Sequence, residues 1–271
     1  MKVQDHFLTK EIFSLESTAV EGILQTSPIP EDLAKYYDST EYISHHQDDS
    51  SLTTKIYKFF QSFNLRFKAN IVASVTAKYS TVLDYGCGAG EFLRYIQGDY
   101  NTVGFEPNPQ GLNFTSKKTS ATIIQSLDEI KDGSIHTITM WHVLEHIPNT
   151  EEILEKLYKK LKTGGHLIVA VPNHGSYDAK YYGPYWAAYD VPRHVHHYTI
   201  KGLKNRFDSN LWKIKKWKPL LLDAFYISII SEKYRKNPLR WFKGGIVGAI
   251  SNIKALKNNE FSSVVLVVEK I

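Results

Sequence analysis

Three glycines, each separated by a single residue, follow an aspartate in a turn between two hydrophobic stretches. The residues are Asp84, Gly86, Gly88 and Gly90, with an amphipathic segment after them. Glycine adopts backbone conformations that other residues avoid and lets a ligand approach the main chain. Dinucleotide-binding turns use the spacing Gly-x-Gly-x-x-Gly to seat a pyrophosphate. The different spacing, and a carboxylate that would repel phosphate, indicate a ligand with a cationic group instead.

A second acidic residue, Glu106, follows the next hydrophobic run and precedes Pro107. An acid at the tip of a second strand is placed to accept hydrogen bonds from two ribose hydroxyls. S-adenosylmethionine has a ribose, an ammonium and a sulfonium, and it has no phosphate. The glycine turn, Asp84 and Glu106 together predict binding of this cofactor. They disfavour the alternative of a nicotinamide-dependent oxidoreductase.

Short β-rich runs alternate with amphipathic segments from Thr81 onward, and these elements must position the two acids. The predicted strands are 81–85, 102–106, 121–125, 136–141, 166–171, 211–217 and 261–269. The predicted helices are 91–97, 109–117, 150–162, 199–207 and 220–233, preceded by one or two helices between residues 52 and 79. Alternation of this kind is typical of a parallel sheet with helices on both faces.

The stretch 81–173 resembles class I S-adenosylmethionine-dependent methyltransferases, in particular the small-molecule group that includes ubiquinone-biosynthesis-like enzymes. The resemblance implies an α/β, Rossmann-like, doubly wound and mostly parallel seven-stranded sheet with helices on both faces and an antiparallel last strand. It also implies that the glycine turn holds the methionine moiety, Glu106 the ribose, and the turn at Ser126 the adenine. The cofactor-binding residues implied in this way are Asp84, Gly86, Cys87, Gly88, Gly90, Phe92, Glu106, Pro107, Leu127, Asp128, Trp141 and His142.

A Glu-His pair, Glu145 and His146, follows the fourth predicted strand. Some ubiquinone-type relatives bind a divalent cation near a comparable pair. A metal site needs further ligands, and the sequence shows no third one. Helix capping or hydrogen bonding is therefore the favoured role of this pair, and no metal is predicted.

The segment 173–198 is rich in tyrosine, tryptophan and histidine and has no clear period, so we expect a substrate-binding insertion or lid. Within it, Arg193 and His194 are the predicted catalytic residues. Arg193 would clamp a carboxylate or phosphate of the acceptor. His194 would act as a general base that removes the acceptor proton. The alternative is that these side chains only pack and hydrogen-bond a long surface loop.

Residues 1–50 are predicted to form an irregular, aromatic cap segment before a methyltransferase domain at 51–271. Some relatives carry a cysteine-rich zinc ribbon at this place, but the cysteines are absent here. The aromatic residues of 36–37 and 42–45 would cover the cofactor pocket. Simple packing of an aromatic strap on the domain is the alternative.

The composition is that of an ordinary globular protein: 271 residues, 42% hydrophobic and 23% charged, with a net charge of +5. A single cysteine, Cys87, excludes an internal disulfide, and no signal peptide or membrane-spanning stretch is evident. We therefore expect a cytoplasmic protein. The basic runs 201–218 and 233–243 could contact RNA or a membrane surface, although solvated element faces are the commoner explanation.

The function predicted from these features is methyl transfer from S-adenosylmethionine to an oxygen, nitrogen or carbon atom of a small-molecule acceptor, by direct displacement. A non-catalytic regulatory protein that binds the cofactor is one alternative, and an RNA methyltransferase is another. The Asn/Asp-Pro-Pro-Tyr/Phe motif of amino-methylating enzymes is absent, so nucleic acid is not the expected partner. The sequence identifies neither the acceptor nor the oligomeric state.

Overall fold

The computed structural model describes residues 1–37, 52–108 and 118–271. The strands are β1 (Lys2–Gln4), β2 (Ile12–Ser17), β3 (Ile23–Ser27), β4 (Thr81–Tyr85), β5 (Asn101–Phe105), β6 (Thr122–Ile124), β7 (Ile135–Trp141), β8 (Leu161–Pro172), β9 (His196–Tyr198), β10 (Trp212–Pro219) and β11 (Ser263–Lys270). The helices are α1 (Leu52–Ala73), α2 (Glu91–Ile96), α3 (Thr150–Lys160), α4 (Tyr177–Tyr182), α5 (Ile200–Asn205), α6 (Leu221–Tyr234) and α7 (Arg240–Asn258).

The larger sheet has seven strands in the order β10-β11-β8-β7-β4-β5-β6. Strands β4 to β8 are parallel to one another, whereas β11 is antiparallel to both β8 and β10. The predicted fold class is confirmed: a mostly parallel, doubly wound α/β sheet with an antiparallel last strand. In the register, Asp84 lies level with Gly104 on one side and Thr139 on the other. The carboxyl ends of these parallel strands therefore meet at one edge of the sheet.

The predicted strands of this sheet agree with the observed ones to within a few residues, apart from β8, which begins five residues earlier than predicted. Their hydrophobic runs are continuous because helices cover both faces; the five residues 264–268 of β11 are all buried. The predicted helix 109–117 lies outside the described residues.

Helix α7 was not predicted, because Gly244, Gly245 and Gly248 interrupt its apolar period. Two of these glycines lie against α6. A Cβ atom at Gly244 would stand 2.7 Å from the Ile229 Cα, and one at Gly248 would stand 2.8 Å from the Ala224 carbonyl oxygen. Glycine is thus required where the two helix backbones touch.

The prediction of irregular structure for residues 1–50 is wrong for residues 1–37. Strands β1, β2 and β3 form an antiparallel sheet that β9 completes. The partner strand belongs to the segment 173–198, which also contains α4 and so is not without regular structure. These strands are three to six residues long, too short for a period to stand out. Residues 38–50, with the predicted domain boundary and the aromatic stretch 42–45, lie outside the described residues.

The smaller sheet, the segment 173–198 and the helices α6 and α7 form one unit, which we call the roof. These elements share a second hydrophobic core. Its buried members are Val3, Phe13, Leu15, Tyr36, Ala179, Tyr182, Trp186, Ala188, Tyr189, Val191, Ile227 and Val247. The segment begins where β8 ends, and the Val195 amide donates to the Glu145 carbonyl oxygen at 2.8 Å. The roof is therefore attached at the carboxyl edge of the larger sheet. Among the described helices, none has the length and apolar character needed to cross a bilayer.

Candidate cofactor and acceptor site

The glycine turn directly follows β4, and its three glycines have left-handed backbone angles. Their φ values are +81° at Gly86, +54° at Gly88 and +78° at Gly90, which side chains disfavour. A Cβ atom at Gly86 would lie 2.5 Å from a methyl group of Val143, so this glycine is needed for packing. A Cβ atom at Gly88 would meet nothing within 4 Å. The backbone at Gly88 is thus open to a ligand.

Asp84 lies at the end of β4 and is 3% exposed. The Thr139 hydroxyl donates a hydrogen bond of 2.6 Å to its Oδ1. Burial raises the pKa of Asp84 to about 6, against the opposing effects of Thr139 and of the Lys68 ammonium. A cationic ligand group beside this carboxylate would lower its pKa again.

Lys68 of α1 reaches the same edge, with its Nζ 5.0 Å from the centroid of the Trp141 ring. Burial lowers the pKa of Lys68, while the carboxylates of Asp84 and Asp223 act to raise it. Phe92 packs edge-on against the same tryptophan, with its ring centroid 5.5 Å from that of Trp141. The sequence did not single out Lys68, because nothing in the helix pattern distinguishes it from solvated lysines.

Glu106 lies just past the tip of β5, beside the glycine turn. Its Oε2 accepts a hydrogen bond of 2.8 Å from the Gly88 amide, and its Oε1 accepts one of 2.9 Å from the Asn108 amide. Pro107 between them is exposed. The carboxylate is held in one orientation, and each oxygen keeps a lone pair for a hydroxyl donor.

Three further predicted cofactor residues, Cys87, Leu127 and Asp128, differ in how far their side chains are exposed. The side chains of Cys87 and Leu127 are buried, and Leu127 belongs to the main core below the sheet edge. Asp128 is exposed in the turn after β6, where the Ser126 hydroxyl donates to its carboxylate at 3.1 Å. Because the Leu127 side chain is buried, a ligand could reach only the main chain of this turn and the side chain of Asp128.

His142 follows β7 with a left-handed φ of +57°. Its Nδ1 lies 3.3 Å from Glu145 Oε1, and its Nε2 lies 3.1 Å from Asp223 Oδ2. Burial acts to lower the pKa of His142, but hydrogen bonds to Asp223 and Glu145 outweigh it and raise the pKa to about 9. The imidazole is therefore a cation at neutral pH. Asp223 belongs to α6, too far along the chain for the sequence to reveal this partner.

Glu145 and His194, both buried, form a cluster with half-buried His146, and one carboxylate oxygen and two ring nitrogens of the three residues lie within 4.8 Å of one another. The ring centroids of His146 and His194 are 4.5 Å apart. Glu145 is 1% exposed, and its Oε2 has no hydrogen-bond partner among the described residues. The structure thus brings His194 to the Glu-His pair, for which the sequence showed no third ligand.

The two histidines of this cluster are oriented through Nδ1. That of His146 lies 3.0 Å from the Arg193 carbonyl oxygen and 2.9 Å from the Tyr37 hydroxyl, and that of His194 lies 2.8 Å from the Ala188 carbonyl oxygen. Such contacts leave Nε2 as the basic atom, the arrangement typical of histidines that bind a metal or accept a proton. The residues therefore fit a divalent cation with two nitrogen ligands and one carboxylate.

Arg193 is 1% exposed, and its guanidinium is occupied within the protein. It donates to both carboxylate oxygens of Asp190, at 3.0 and 2.6 Å, to Asp5 Oδ1 at 3.0 Å and to the Tyr36 carbonyl oxygen at 3.2 Å. The ring of Phe7 covers it at 4.9 Å. The predicted role as a clamp for an anionic acceptor has no support in this arrangement, which instead ties the N-terminal residues to the roof.

Comparison with known proteins gives the following matches. A family described as a methyltransferase domain matches residues 45–212. A ubiquinone biosynthesis O-methyltransferase of Xanthomonas campestris is 25% identical over 140 residues, which are 47% of this chain and 59% of that protein. One from Xanthomonas oryzae is 26% identical over 129 residues, 43% of this chain and 54% of that protein. The chain thus spans little more than half the length of these curated relatives.

Two solved structures are similar over most of the chain. Geranyl diphosphate methyltransferase in complex with S-adenosylmethionine has a TM-score of 0.53 at 10% identity, over 78% of this chain and 85% of that one. The geranyl diphosphate C-methyltransferase of Streptomyces coelicolor has a TM-score of 0.51 at 12% identity, over 76% of each chain. At these identities the similarity shows the fold alone.

Proposed function

The chain belongs to the methyltransferase-domain family and is an enzyme that uses S-adenosylmethionine, and we propose that it methylates an oxygen atom of a small-molecule acceptor. The observation that carries the proposal is the cluster of Glu145, His146 and His194. Glu145 and His146 lie in the loop after β7, where Glu145 Oε1 is 3.3 Å from His142 Nδ1. A hydroxyl acceptor needs a group that takes its proton, and this cluster supplies one.

The proposed cofactor position follows from the charges at the sheet edge. Asp84 would receive the methionine ammonium, and Lys68 would receive the carboxylate. Glu106 would accept hydrogen bonds from the ribose hydroxyls, and the open backbone at Gly88 leaves room for the cofactor chain. The edge-on pair of Phe92 and Trp141 would shield one side of the cofactor from water.

The proposed reaction is a single displacement. The acceptor oxygen attacks the methyl carbon, and the new C–O bond forms while the C–S bond breaks. The electron pair of that bond stays on sulfur, so the sulfonium becomes the neutral thioether of S-adenosylhomocysteine. The acceptor proton passes to the cluster. Because no covalent enzyme intermediate is needed, alignment of oxygen, carbon and sulfur is the main task of the protein.

The protonation states of the cluster suit acceptance of a proton. Burial acts to raise the pKa of Glu145, but the hydrogen bond and charge of His142 lower it, so this carboxylate is ionised. Burial and the neighbouring His194 lower the pKa of His146 to about 4, so its imidazole is neutral. We assign the proton to Nε2 of His194, whose Nδ1 is held by the Ala188 carbonyl. A divalent cation held by Glu145, His146 and His194 would take Nε2 of His194 as a ligand, so this imidazole would no longer be the base; the cation would instead act as a Lewis acid that acidifies an acceptor hydroxyl.

The experiment is a comparison of acceptors matched in size: catechol for oxygen, aniline for nitrogen and indole for carbon. Formation of S-adenosylhomocysteine and of the methylated product is followed by mass spectrometry. We expect the methyl ether of catechol as the main product. Methylation of aniline or indole without methylation of catechol would contradict an oxygen acceptor, and methylation of RNA in preference to all three would contradict a small-molecule acceptor.

A further inference from the structure

Helix α7 has an apolar stripe on the side that faces away from the protein. Its packed side consists of Gly244, Val247, Gly248, Ser251 and Ala255, all buried, where α7 contacts α6. At about 100° per residue, the opposite side carries a second row of large apolar side chains. This outer stripe consists of Phe242, Ile246, Ile253 and Leu256, all of them exposed.

The outer stripe is unusual for a surface helix, because its exposed side is normally polar. Phe242 is 70% exposed and Leu256 is 74% exposed. Leu239 and Trp241, at the start of the helix, add two more exposed apolar side chains. A contiguous exposed apolar patch of this kind marks a binding surface.

Cationic side chains predominate around the stripe, where Lys243 Nζ lies 3.4 Å from Glu232 Oε1 and Lys254 Nζ lies 3.8 Å from the centroid of the Tyr177 ring. Residues 233–258 contain seven lysines and arginines and no aspartate or glutamate. By helical geometry, Lys243, Lys254 and Lys257 lie along one side of the stripe, and Arg240 lies at the first turn of the helix. This combination of an apolar stripe with a cationic margin is complementary to a surface that is apolar inside and anionic outside.

We infer that α7 binds the surface of an anionic lipid bilayer, lying in the plane of the headgroups with the outer stripe inserted. Tryptophan is favoured at this depth, as are lysines that border the inserted side chains. Such binding does not require a spanning helix. It also adds a location to the activity proposed above without depending on it.

Two other occupants fit the surface less well. A second copy of the chain would bring two sets of cations together across the stripe. Single-stranded RNA would need aromatic side chains on which bases stack; in α7 the exposed ones, Trp241 and Phe242, lie in the first turn. The rest of the outer stripe, Ile246, Ile253 and Leu256, is aliphatic. The membrane surface alone satisfies both the aliphatic stripe and the positive charge.

The test is flotation of the full chain with vesicles of phosphatidylcholine alone and of equal parts phosphatidylcholine and phosphatidylglycerol. We expect binding to the anionic vesicles, weakened but not abolished by high salt, because the apolar contribution is not screened. The variant Phe242→Ser with Ile253→Ser should bind about tenfold more weakly or worse, since binding scales with inserted apolar area. Because both side chains are exposed, the variant should fold normally.

The matched control is Ile12→Ser in β2, since Ile12 is 64% exposed and Ile253 is 63% exposed. It should bind vesicles like the unmodified chain. Trp241 offers a second readout, because it is the only tryptophan that is exposed and all five lie in the described residues. Its fluorescence should shift to shorter wavelength with anionic vesicles, and Trp241→Phe should remove that shift.

Three results would overturn the inference. One is the absence of binding to anionic vesicles. Another is equal loss of binding in Ile12→Ser and in the stripe variant. The third is the formation of another complex, either a dimer measured by light scattering or a complex with a fluorescent single-stranded RNA. It would overturn the inference if the stripe variant abolished that complex but left vesicle binding unchanged.

Discussion

Gly88 and Glu106 are joined across the tips of two neighbouring parallel strands, with the Gly88 amide 2.8 Å from Glu106 Oε2. The bond fixes the carboxylate at the sheet edge and leaves its outer lone pairs for a ligand. It also couples the two parts of the proposed cofactor site, because the turn that would approach the methionine moiety orients the acid that would accept from the ribose.

The first prediction concerns Glu106. Glu106→Ala removes a charged hydrogen-bond acceptor, which contributes about 1.5–3 kcal/mol when buried. The affinity for S-adenosylhomocysteine, measured by calorimetry, should fall roughly ten- to hundredfold. Glu152→Ala, which removes an exposed acid of α3, should leave the affinity unchanged. Equal affinity in both variants would mean that the ribose is held elsewhere.

The second prediction is a pH dependence of cofactor binding that arises from Asp84. Its pKa is raised to about 6 by burial, and an ammonium beside it would lower the pKa in the complex. Binding should therefore be strongest above pH 6 and weaken below it, by up to about tenfold per pH unit. Calorimetry of S-adenosylhomocysteine from pH 5 to 8 measures this trend. Asp84→Asn should bind weakly at every pH, and a pH dependence retained in this variant would assign the trend to another group.

The raised pKa of Asp84 also makes the stability of the folded chain depend on pH, in the direction opposite to cofactor binding. Because the folded protein raises the Asp84 pKa from 3.8 to about 6, folding favours the protonated carboxyl. Its contribution to stability is complete below about pH 4 and is lost as the pH rises through 6. Denaturant unfolding of the cofactor-free chain should show this trend, and Asp84→Asn should remove it. An unchanged trend in the variant would contradict the assignment.

The third prediction separates structure from catalysis at Arg193. Arg193→Ala leaves the buried Asp5 without its partner, and breaking a buried ion pair in this way costs about 3–5 kcal/mol. The free energy of unfolding should fall by that amount in a denaturant titration. Lys201→Ala, which breaks an exposed pair with Glu21, should cost less than about 1 kcal/mol. A stable Arg193→Ala protein that has lost only turnover would restore the role as an acceptor clamp.

The fourth prediction tests the proton acceptor. His194→Ala should lower turnover on the methylated acceptor by about 10²–10⁴. Its affinity for S-adenosylhomocysteine should stay within about threefold, a difference of roughly 0.65 kcal/mol. His166→Ala, which alters a partly buried histidine of β8, should change neither quantity. Loss of cofactor affinity in His194→Ala would place this residue in the cofactor site instead.

The central sheet could be predicted because its signals are local. Each strand is a hydrophobic run of a few residues, and the glycine turn after Asp84 combines a strand end, a turn and a helix start within ten residues. The partners of the proposed site were harder to find. Lys68 belongs to α1 and Asp223 to α6, two helices far apart in the sequence, and only the folded sheet brings them to the same edge.

The N-terminal strands and the role of Arg193 could not be predicted for a related reason. From the sequence alone, an arginine beside histidines fits an anion-binding site as well as it fits a structural ion pair. One of its two carboxylate partners, Asp190, belongs to the same segment, but the other, Asp5, is 188 residues away. The third member of the histidine cluster was hidden in the same way, because His194 meets Glu145 only after the roof has packed on the sheet edge.

The closure of the smaller sheet by β9 has a consequence for synthesis on the ribosome. Thr26 of β3 bonds the ring of His197, 171 positions further along the chain. The first three strands therefore leave the exit tunnel long before their partner exists, and their edge stays open while the chain grows. Native pairing across such a sequence distance is slow, and an open strand edge is prone to aggregation. Early binding of a chaperone to the nascent N-terminal segment would thus protect these strands until β9 has been synthesised.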